Sequence, residues 1–375
     1  MDRRSQQNTK PACCCPTVVD IIPVVSSPAG EWIDGSVTTP VGNIPRVTTR
    51  LTWRDHLGSW RVRWGFRRMR YRVTPGLYAV GSPTPQSPVF VSANFKMSFD
   101  RLRSHLSGRH GWILVLDTKG VNVWCAAGKG TFGTDELVNR IGITQLDKIV
   151  SHRRLILPQL SATGVCAREV NRRSGFRAIF GPILARDIPA FLDADMKATP
   201  EMRRVRFGLR DRAVLAPMEI TAAAIHALPI AAVMLFLAGL GSDGYDLSRI
   251  ASFGVWSAIL ILGAWLFGAV LTPIFLPWLP GRAFAGKGAW LGVLALIVGG
   301  LVLSGRPGVF RSWPSASAWI FLIPAVVSFV AMNFTGASTY TSLSGVKKEM
   351  RIAVPLQIAF AVVGLGLWIV GLFVR

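Results

Sequence analysis

Acidic residues and cysteines are scarce in this 375-residue chain: 20 Asp and Glu stand against 42 Lys and Arg, and there are only five cysteines. Five thiols spread over such a length cannot staple a secreted disulfide scaffold. No Cys-x-x-Cys pair occurs, so the usual ligand spacing for an iron–sulfur cluster is missing. The first 20 residues have early arginines but no apolar stretch before the small residues, and no secretory signal is expected. Charged residues are only 17% and hydrophobic ones 50%, which excludes disorder over most of the length.

The scarcity is uneven. Residues 218–375 hold nine Lys/Arg and four Asp/Glu, so most of the basic excess lies in residues 1–217. Five stretches of the second half, at about 220–240, 251–277, 288–304, 316–334 and 352–374, contain no Asp, Glu, Lys or Arg. A bilayer core of about 30 Å needs roughly 20 apolar residues, so 216–375 reads as an all-α transmembrane domain of five helices. Basic residues set orientation. Arg282 and Lys287 in one loop, and Lys347, Lys348 and Arg351 in another, share a side with the basic N-terminal part. The expectation is a multi-pass protein of a bacterial or archaeal cytoplasmic membrane, its N-terminal domain cytoplasmic and its C-terminus extracytoplasmic.

Residues 1–45, rich in Pro, Ser, Thr and Gly, read as a flexible leader carrying the run Cys13–Cys14–Cys15. Residues 46–72 hold nine arginines against Asp55 alone, and Trp53, Leu57, Trp60 and Trp64 follow a helical spacing. A basic Trp-bearing helix suits a membrane surface or the protein's own domain better than nucleic acid, and no nucleic-acid partner is expected. From Leu77 short apolar runs at 77–80, 88–92, 112–116, 155–157 and 176–180 alternate with helical candidates at 96–107, 134–141, 144–152, 162–172 and 184–195. This alternation predicts a mostly parallel α/β sheet over 46–215, with ligands outside the carboxyl ends of its strands.

One such loop follows the run WILVLD and reads Asn122-Val123-Trp124-Cys125-Ala126-Ala127-Gly128-Lys129-Gly130. A phosphate-binding P-loop fails here twice, since Val123 replaces its first Gly and Gly130 its Ser/Thr. Gly128–Gly133 spells G-x-G-x-x-G, but so does Gly239–Gly244 at the exit of a span, which makes the match uninformative. A nucleophilic Cys125 would need a histidine base, for which His105, His110 and His152 are available. Cys166 reads as a small core residue.

The segment NVWCAAGK at 122–129 resembles, at all eight positions, the cap-helix motif N-(V/I)-W-C-A-(A/S)-G-K of the HgcA family, the membrane-anchored corrinoid proteins of anaerobic mercury methylation. The resemblance continues through RWG at 63–65, PGLYAVGSP at 75–83, VSANFKMSFDRLR at 91–103, GTFGTDEL at 130–137 and TGASTYTSLSGVKKE at 335–349. It implies a Rossmann-like corrinoid-binding domain, similar to the cobalamin domain of the acetyl-CoA pathway's corrinoid iron–sulfur protein, followed by five membrane helices. The implied activity is transfer of a methyl group from methyl-Co(III) cobalamin to inorganic Hg(II) presented as a thiolate complex. Implied partners are an HgcB-type ferredoxin with two 4Fe–4S clusters and a methyl donor such as methyltetrahydrofolate.

The resemblance places the lower axial ligand of base-off cobalamin on Cys125, as a thiolate. Physical chemistry agrees with that assignment: a helix start favours the thiolate, Lys129 adds positive charge, and sulfur is a soft, electron-rich ligand. Asn122 is expected to cap the helix or to hydrogen-bond the sulfur. Ala126, Ala127 and Gly128 are expected to offer a flat face to the macrocycle, flanked by Val123 and Trp124. From the other carboxyl-end loops, Ser92, Asn94, Thr118, Gln159 and Ser161 are further candidates for cofactor contact. The imidazole motif Asp-x-His-x-x-Gly is absent, since Asp55-His56-Leu57-Gly58 has the wrong spacing.

Overall fold

Each apolar run read as a strand is a strand. The computed structural model describes residues 30–303, 309–334 and 343–374; Cys13–Cys15 and the start of the TGASTYTSLSGVKKE segment lie outside the described residues. By chain contacts there are two compact units: residues up to Leu51 with Arg72–Ala198, and Thr52–Tyr71 with the chain from Thr199 onward.

The first unit holds a seven-stranded mixed sheet: β1 (Ile33–Thr39), β2 (Gly42–Val47), β3 (Gly76–Val80), β4 (Val89–Ala93), β5 (Gly111–Leu116), β6 (Arg154–Leu157) and β7 (Arg177–Phe180), in the order β1-β2-β3-β5-β4-β6-β7. The pairs β5-β4, β4-β6 and β6-β7 are parallel, as the continuous apolar runs predict, and so is β2-β3. In contrast, β3 runs antiparallel to β5, and β1 and β2 form an antiparallel hairpin.

That hairpin corrects the reading of residues 1–45 as a leader. From Ile33 onward the chain is sheet, with Ile44 and Val47 buried and Val37 packed on the core. The signal is masked because Gly, Pro and Thr fill the alternate positions. Pro45 is tolerated because β2 joins β3 only at Arg46 and Val47.

Helices α2 (Lys96–Ser104), α3 (Val123–Gly128), α4 (Thr134–Ile143), α5 (Leu146–Ile149), α6 (Ala167–Ser174) and α7 (Ile188–Asp193) connect and follow the strands. Leu137, Ile141, Leu146, Ile149 and Val170 from these helices join Val91, Leu114, Leu116, Leu155 and Leu157 in one core. A buried ion pair ties α2 down: Arg103 Nε donates to Asp100 Oδ1 at 2.8 Å, while its Nη1 donates to the carbonyls of Thr48 and Arg50. From β4 the chain steps to β5 on one side, and then crosses to β6 on the other. Such a reversal opens a crevice outside the carboxyl ends of the flanking strands, here β4 and β6.

The second unit contains α1 (Trp53–Arg63), α8 (Leu209–Ala213), α9 (Ala216–Leu237), the single turn α10 (Leu247–Arg249), α11 (Val255–Phe275), α12 (Phe284–Leu303), α13 (Trp313–Asn333) and α14 (Leu343–Phe373). Among the described residues four helices are long and apolar enough to cross a membrane: Leu247–Phe275, Phe284–Leu303, Trp313–Asn333 and Ser344–Phe373. Leu209–Ala222 and Ala224–Leu237, bent by 48°, make a fifth when taken as one span. Small residues let these helices approach. A Cβ on Gly288 would lie 2.5 Å from Ala331 Cβ, and one on Gly292 2.5 Å from Pro324 Cα.

The position of α1 differs from the domain boundaries read from sequence, which gave all of 46–215 to the corrinoid-binding domain. Thr52–Tyr71 clusters with the long helices instead. Its buried side is Asp55 and Val62, and Trp53 and Trp60 of the expected apolar face are exposed.

Candidate functional site

The loop after β5 is built around Asn94, which directly follows β4 and is 1% exposed. Its Oδ1 accepts from Thr118 N at 3.2 Å and Gly120 N at 2.9 Å, with Thr118 Oγ1 at 2.8 Å. Its Nδ2 donates to Asp117 Oδ1 at 3.1 Å. One buried amide thus satisfies most of the polar groups of a turn that contains two consecutive left-handed residues, Lys119 (φ 57°) and Gly120 (φ 77°). A non-glycine residue in that region costs of order 1 kcal/mol or more, so the turn needs such a clamp.

Asp117 extends the clamp outward. Lys119 donates to it from its backbone N at 3.1 Å and from Nζ at 2.6 Å. Asp117 N donates to Glu136 Oε1 at 2.8 Å, and Arg140 holds that carboxylate at 2.6 Å. Burial pushes the Asp117 carboxyl up, but the Lys119 hydrogen bonds and the charges of Lys119 and Arg140 outweigh it and hold it below the usual carboxylate range.

This turn delivers the chain into α3. Asn122 has extended backbone (φ −67°, ψ 162°), and its Oδ1 accepts from Cys125 N at 2.9 Å, an N-cap by the side-chain type best suited to it. Of the two expected roles for Asn122, the structure displays the cap. Ala126 and Ala127 point into the core, with Val123 packed against it, while Trp124, Cys125, Gly128 and Lys129 form the outward stripe. The flat face expected from Ala126, Ala127 and Gly128 is therefore corrected: the alanines anchor the helix, and Gly128 alone of the three is exposed. A Cβ on Gly128 would meet no atom within 4 Å.

The underside of α3 rests on the chain that follows β6. A Cβ on Gly164 would lie 2.4 Å from Phe132 O and 3.0 Å from Ala127 Cα, so a bare backbone is required at this crossing. In the adjoining 3₁₀ turn Gln159–Ser161, Ser161 Oγ donates to Pro158 O at 2.8 Å. Gln159 Oε1 is buried and has no hydrogen-bond partner. A buried acceptor without a partner is unfavourable by about 1–3 kcal/mol, and here it lies in the loop after β6, beside α3.

Of the other candidates, Ser92 is buried within β4 opposite Val115, its Oγ 3.3 Å from Ala93 O. Asn94, Thr118 and Ser161 are likewise buried and engaged by their own loops, so they shape the site from behind. Cys125 is free and exposed. Cys166 is exposed too, which corrects the core reading: the helix expected at 162–172 begins only at Ala167, and Cys166 precedes it, its N–H donating to Thr134 Oγ1 at 2.9 Å.

The structure separates the Cys–His pairs. His110 and His152 precede β5 and β6 at the amino edge, where His110 Nδ1 accepts from Ser82 N at 3.0 Å and His152 Nε2 lies 2.9 Å from Ser87 O. His105 follows α2 on that same edge, its Nδ1 2.7 Å from Arg101 O. Cys125 lies beyond the carboxyl end of β5, a six-residue strand and so about 20 Å long. A thiolate–imidazole nucleophile is excluded for these residues. Among the described residues no group of three or more His, Cys, Asp or Glu is placed to hold a metal. The site thus offers one soft, exposed sulfur on an open helix face.

Comparison with known proteins bears on the same stretch. Residues 66–192 match the family model of the CO dehydrogenase/acetyl-CoA synthase delta subunit. The chain is 32% identical over 128 residues to the acetyl-CoA decarbonylase/synthase complex subunit gamma of Archaeoglobus fulgidus, which covers 34% of this chain and 27% of that protein. Its counterpart in Methanopyrus kandleri is 30% identical over 125 residues, covering 33% and 27%. The corrinoid/iron–sulfur protein large subunit of Moorella thermoacetica is 26% identical over 148 residues, covering 39% and 31%. The chain therefore spans less than a third of the length of these relatives, and the family match falls on residues 66–192.

Proposed function

We propose that the chain is a membrane-anchored corrinoid protein whose sheet unit holds cobalamin against the outward stripe of α3, and that it methylates inorganic Hg(II). The observation that carries this reading is the exposed thiol of Cys125 on a capped helix start, at the carboxyl edge where open α/β sheets take ligands. The residues fit such a group: the stripe is open at Gly128, and Gln159 Oε1 is a buried acceptor awaiting a donor such as an amide of the corrin periphery. Bound cobalamin would supply the methyl–cobalt bond and the cobalt redox chemistry that side chains lack.

In this reading Cys125 would hold the cofactor's cobalt through its sulfur. Asn122 sets the direction of Cys125 by fixing its N–H. Trp124 and Lys129 flank the sulfur on the stripe. A soft, electron-rich thiolate favours release of a methyl group toward a soft electrophile, which argues for a Hg(II) thiolate complex as acceptor. Electrons would come from a separate ferredoxin with two 4Fe–4S clusters, and methyl groups from a donor such as methyltetrahydrofolate. The same proposal puts the sheet unit and the loops at 278–287 and 335–351 on the cytoplasmic side.

The test is anaerobic conversion of Hg(II) to methylmercury by cells carrying the full chain and its ferredoxin, with Cys125→Ala as the inactive control. Because the chain spans less than a third of the relatives' length, a membrane-anchored corrinoid-binding or redox-sensing module that methylates no metal is the second reading. Corrin binding without methylmercury would select it.

A further inference from the structure

The basic hairpin Thr52–Tyr71 is not absorbed by any corrinoid chemistry. Its fold is well specified: Thr52 caps α1 by accepting from Asp55 N at 3.3 Å while Asp55 Oδ2 accepts from Thr52 N at 3.0 Å. Gly65 turns the chain at φ 77°, and Tyr71 Oη donates back to Asp55 O at 3.4 Å. The hairpin's single acid is therefore buried and committed to the cap. What remains outside is of two kinds. Trp53, Trp60, Phe66 and Met69 are 68%, 57%, 59% and 54% exposed. Around them Arg54, Arg61, Arg67 and Arg70 are exposed, Arg54 lying over the Trp53 ring at 5.5 Å.

Contacts within the second unit fix where this surface lies along the long helices. A Cβ on Gly65 would sit 3.2 Å from Thr221 Oγ1 and 3.3 Å from Met218 Sδ, at the first turns of α9. At that same end Arg212 Nη1 donates to Ile274 O at 2.8 Å, at the close of α11. Lys287 Nζ donates to Leu276 O at 2.6 Å, and Ala285 N to Glu349 Oε1 at 2.6 Å, which brings in the starts of α12 and α14. The hairpin thus borders the end of the helical unit that also carries Arg282, Lys287, Lys347, Lys348 and Arg351.

We infer that the Thr52–Tyr71 hairpin is an interfacial anchor that binds the headgroups of anionic phospholipid at this end of the membrane helices. Indole rings settle at the headgroup level, where one part of the ring is apolar and the other wet, and guanidinium groups pair with phosphate. Four large apolar side chains on a surface that holds only positive charge match that boundary. A nucleic acid would also take Arg with aromatics, but the hairpin belongs to the unit of membrane-spanning helices and flanks their ends, which is where lipid headgroups are.

The test uses the full chain in lipid nanodiscs, one set of phosphatidylcholine alone and one with about a third phosphatidylglycerol. Hydrogen exchange of the amides of 53–70 should slow several-fold in the anionic discs, and the difference should shrink as salt shortens the Debye length. The variant carrying Arg54→Gln, Arg61→Gln and Arg67→Gln should lose the difference while 255–275 exchanges as before. Quenching of Trp53 and Trp60 by brominated phosphatidylglycerol, read as the signal lost in Trp53→Phe with Trp60→Phe, reports insertion without altering charge. Equal exchange in both lipids with no quenching overturns the inference. So does protection of 53–70 by an oligonucleotide in phosphatidylcholine discs that equals the effect of phosphatidylglycerol.

Discussion

The side-chain oxygen of Asn122 lies 2.9 Å from the backbone nitrogen of Cys125. This contact starts α3 at the residue before Trp124 and leaves the Cys125 side chain outward while its N–H is satisfied. Replacing an N-cap Asn with Ala is unfavourable by about 1 kcal/mol. Asn122→Ala should therefore cause a small stability loss but a larger loss of cobalamin affinity, since the sulfur is no longer held in place. Asn122→Ser, which can still cap, should restore most of both. Thermal unfolding and cobalamin titration of the full chain separate the two effects.

Asn94 makes a stronger prediction. Asn94→Ala strips acceptors from Thr118 N and Gly120 N and leaves a turn with Lys119 in the left-handed region unsupported. Each buried N–H left unpaired is unfavourable by about 1–3 kcal/mol. The expected result is a marked fall in unfolding temperature and faster hydrogen exchange over 117–122, with the exchange of 154–157 unchanged at native temperature. Unchanged exchange at 117–122 would show that the turn holds without Asn94.

The ion pair inside α2 is a third test. Arg103 is fully buried, and removing it takes from the buried Asp100 carboxylate one of the two cations it pairs with here, Lys96 being the other. Breaking one partner of a buried pair is unfavourable by about 3–5 kcal/mol, so Arg103→Met should lower stability by that amount in chemical denaturation. Asp100→Leu on top of Arg103→Met should recover part of it.

The pH dependence follows from Asp117. Its folded-state carboxyl is held below the usual range, so the unfolded chain binds the proton more readily. The stabilisation it gives is complete above the ordinary Asp value and is lost as pH falls through its lower folded value. Asp117→Asn should flatten the acid limb of stability against pH below about pH 4, measured as the unfolding midpoint at fixed temperature. An unchanged acid limb would contradict the role given to Lys119.

Much of this architecture was legible in the sequence because continuous apolar strands and charge-free spans leave plain signals. The five strands from β3 to β7 and the apolar helices fall where the runs do. The hairpin β1–β2 was hidden, since Gly35, Gly42 and Pro45 interrupt its alternation, and its partner strand lies some 30 residues away. Helix α3 was legible by its motif but not by its burial: only packing reveals that Ala126 and Ala127 face the core and that Gly128 does not. Gly164 gave no signal at all, because the need for a bare backbone there comes from a crossing with Ala127, 37 residues earlier. Cys166 was misread because a small apolar residue near a helix start looks the same in sequence whether the helix begins before or after it.

In the proposed function Cys125 is the sulfur that ligates cobalt. X-ray absorption at the cobalt edge, on the full chain loaded with cobalamin, decides this. The prediction is one axial sulfur scatterer in the wild-type chain and in Cys166→Ala, its loss in Cys125→Ala, and its replacement by nitrogen in Cys125→His with corrin retained and methyl transfer to Hg(II) severely reduced. An axial sulfur that persists in Cys125→Ala, or a wild-type chain with none, would contradict it.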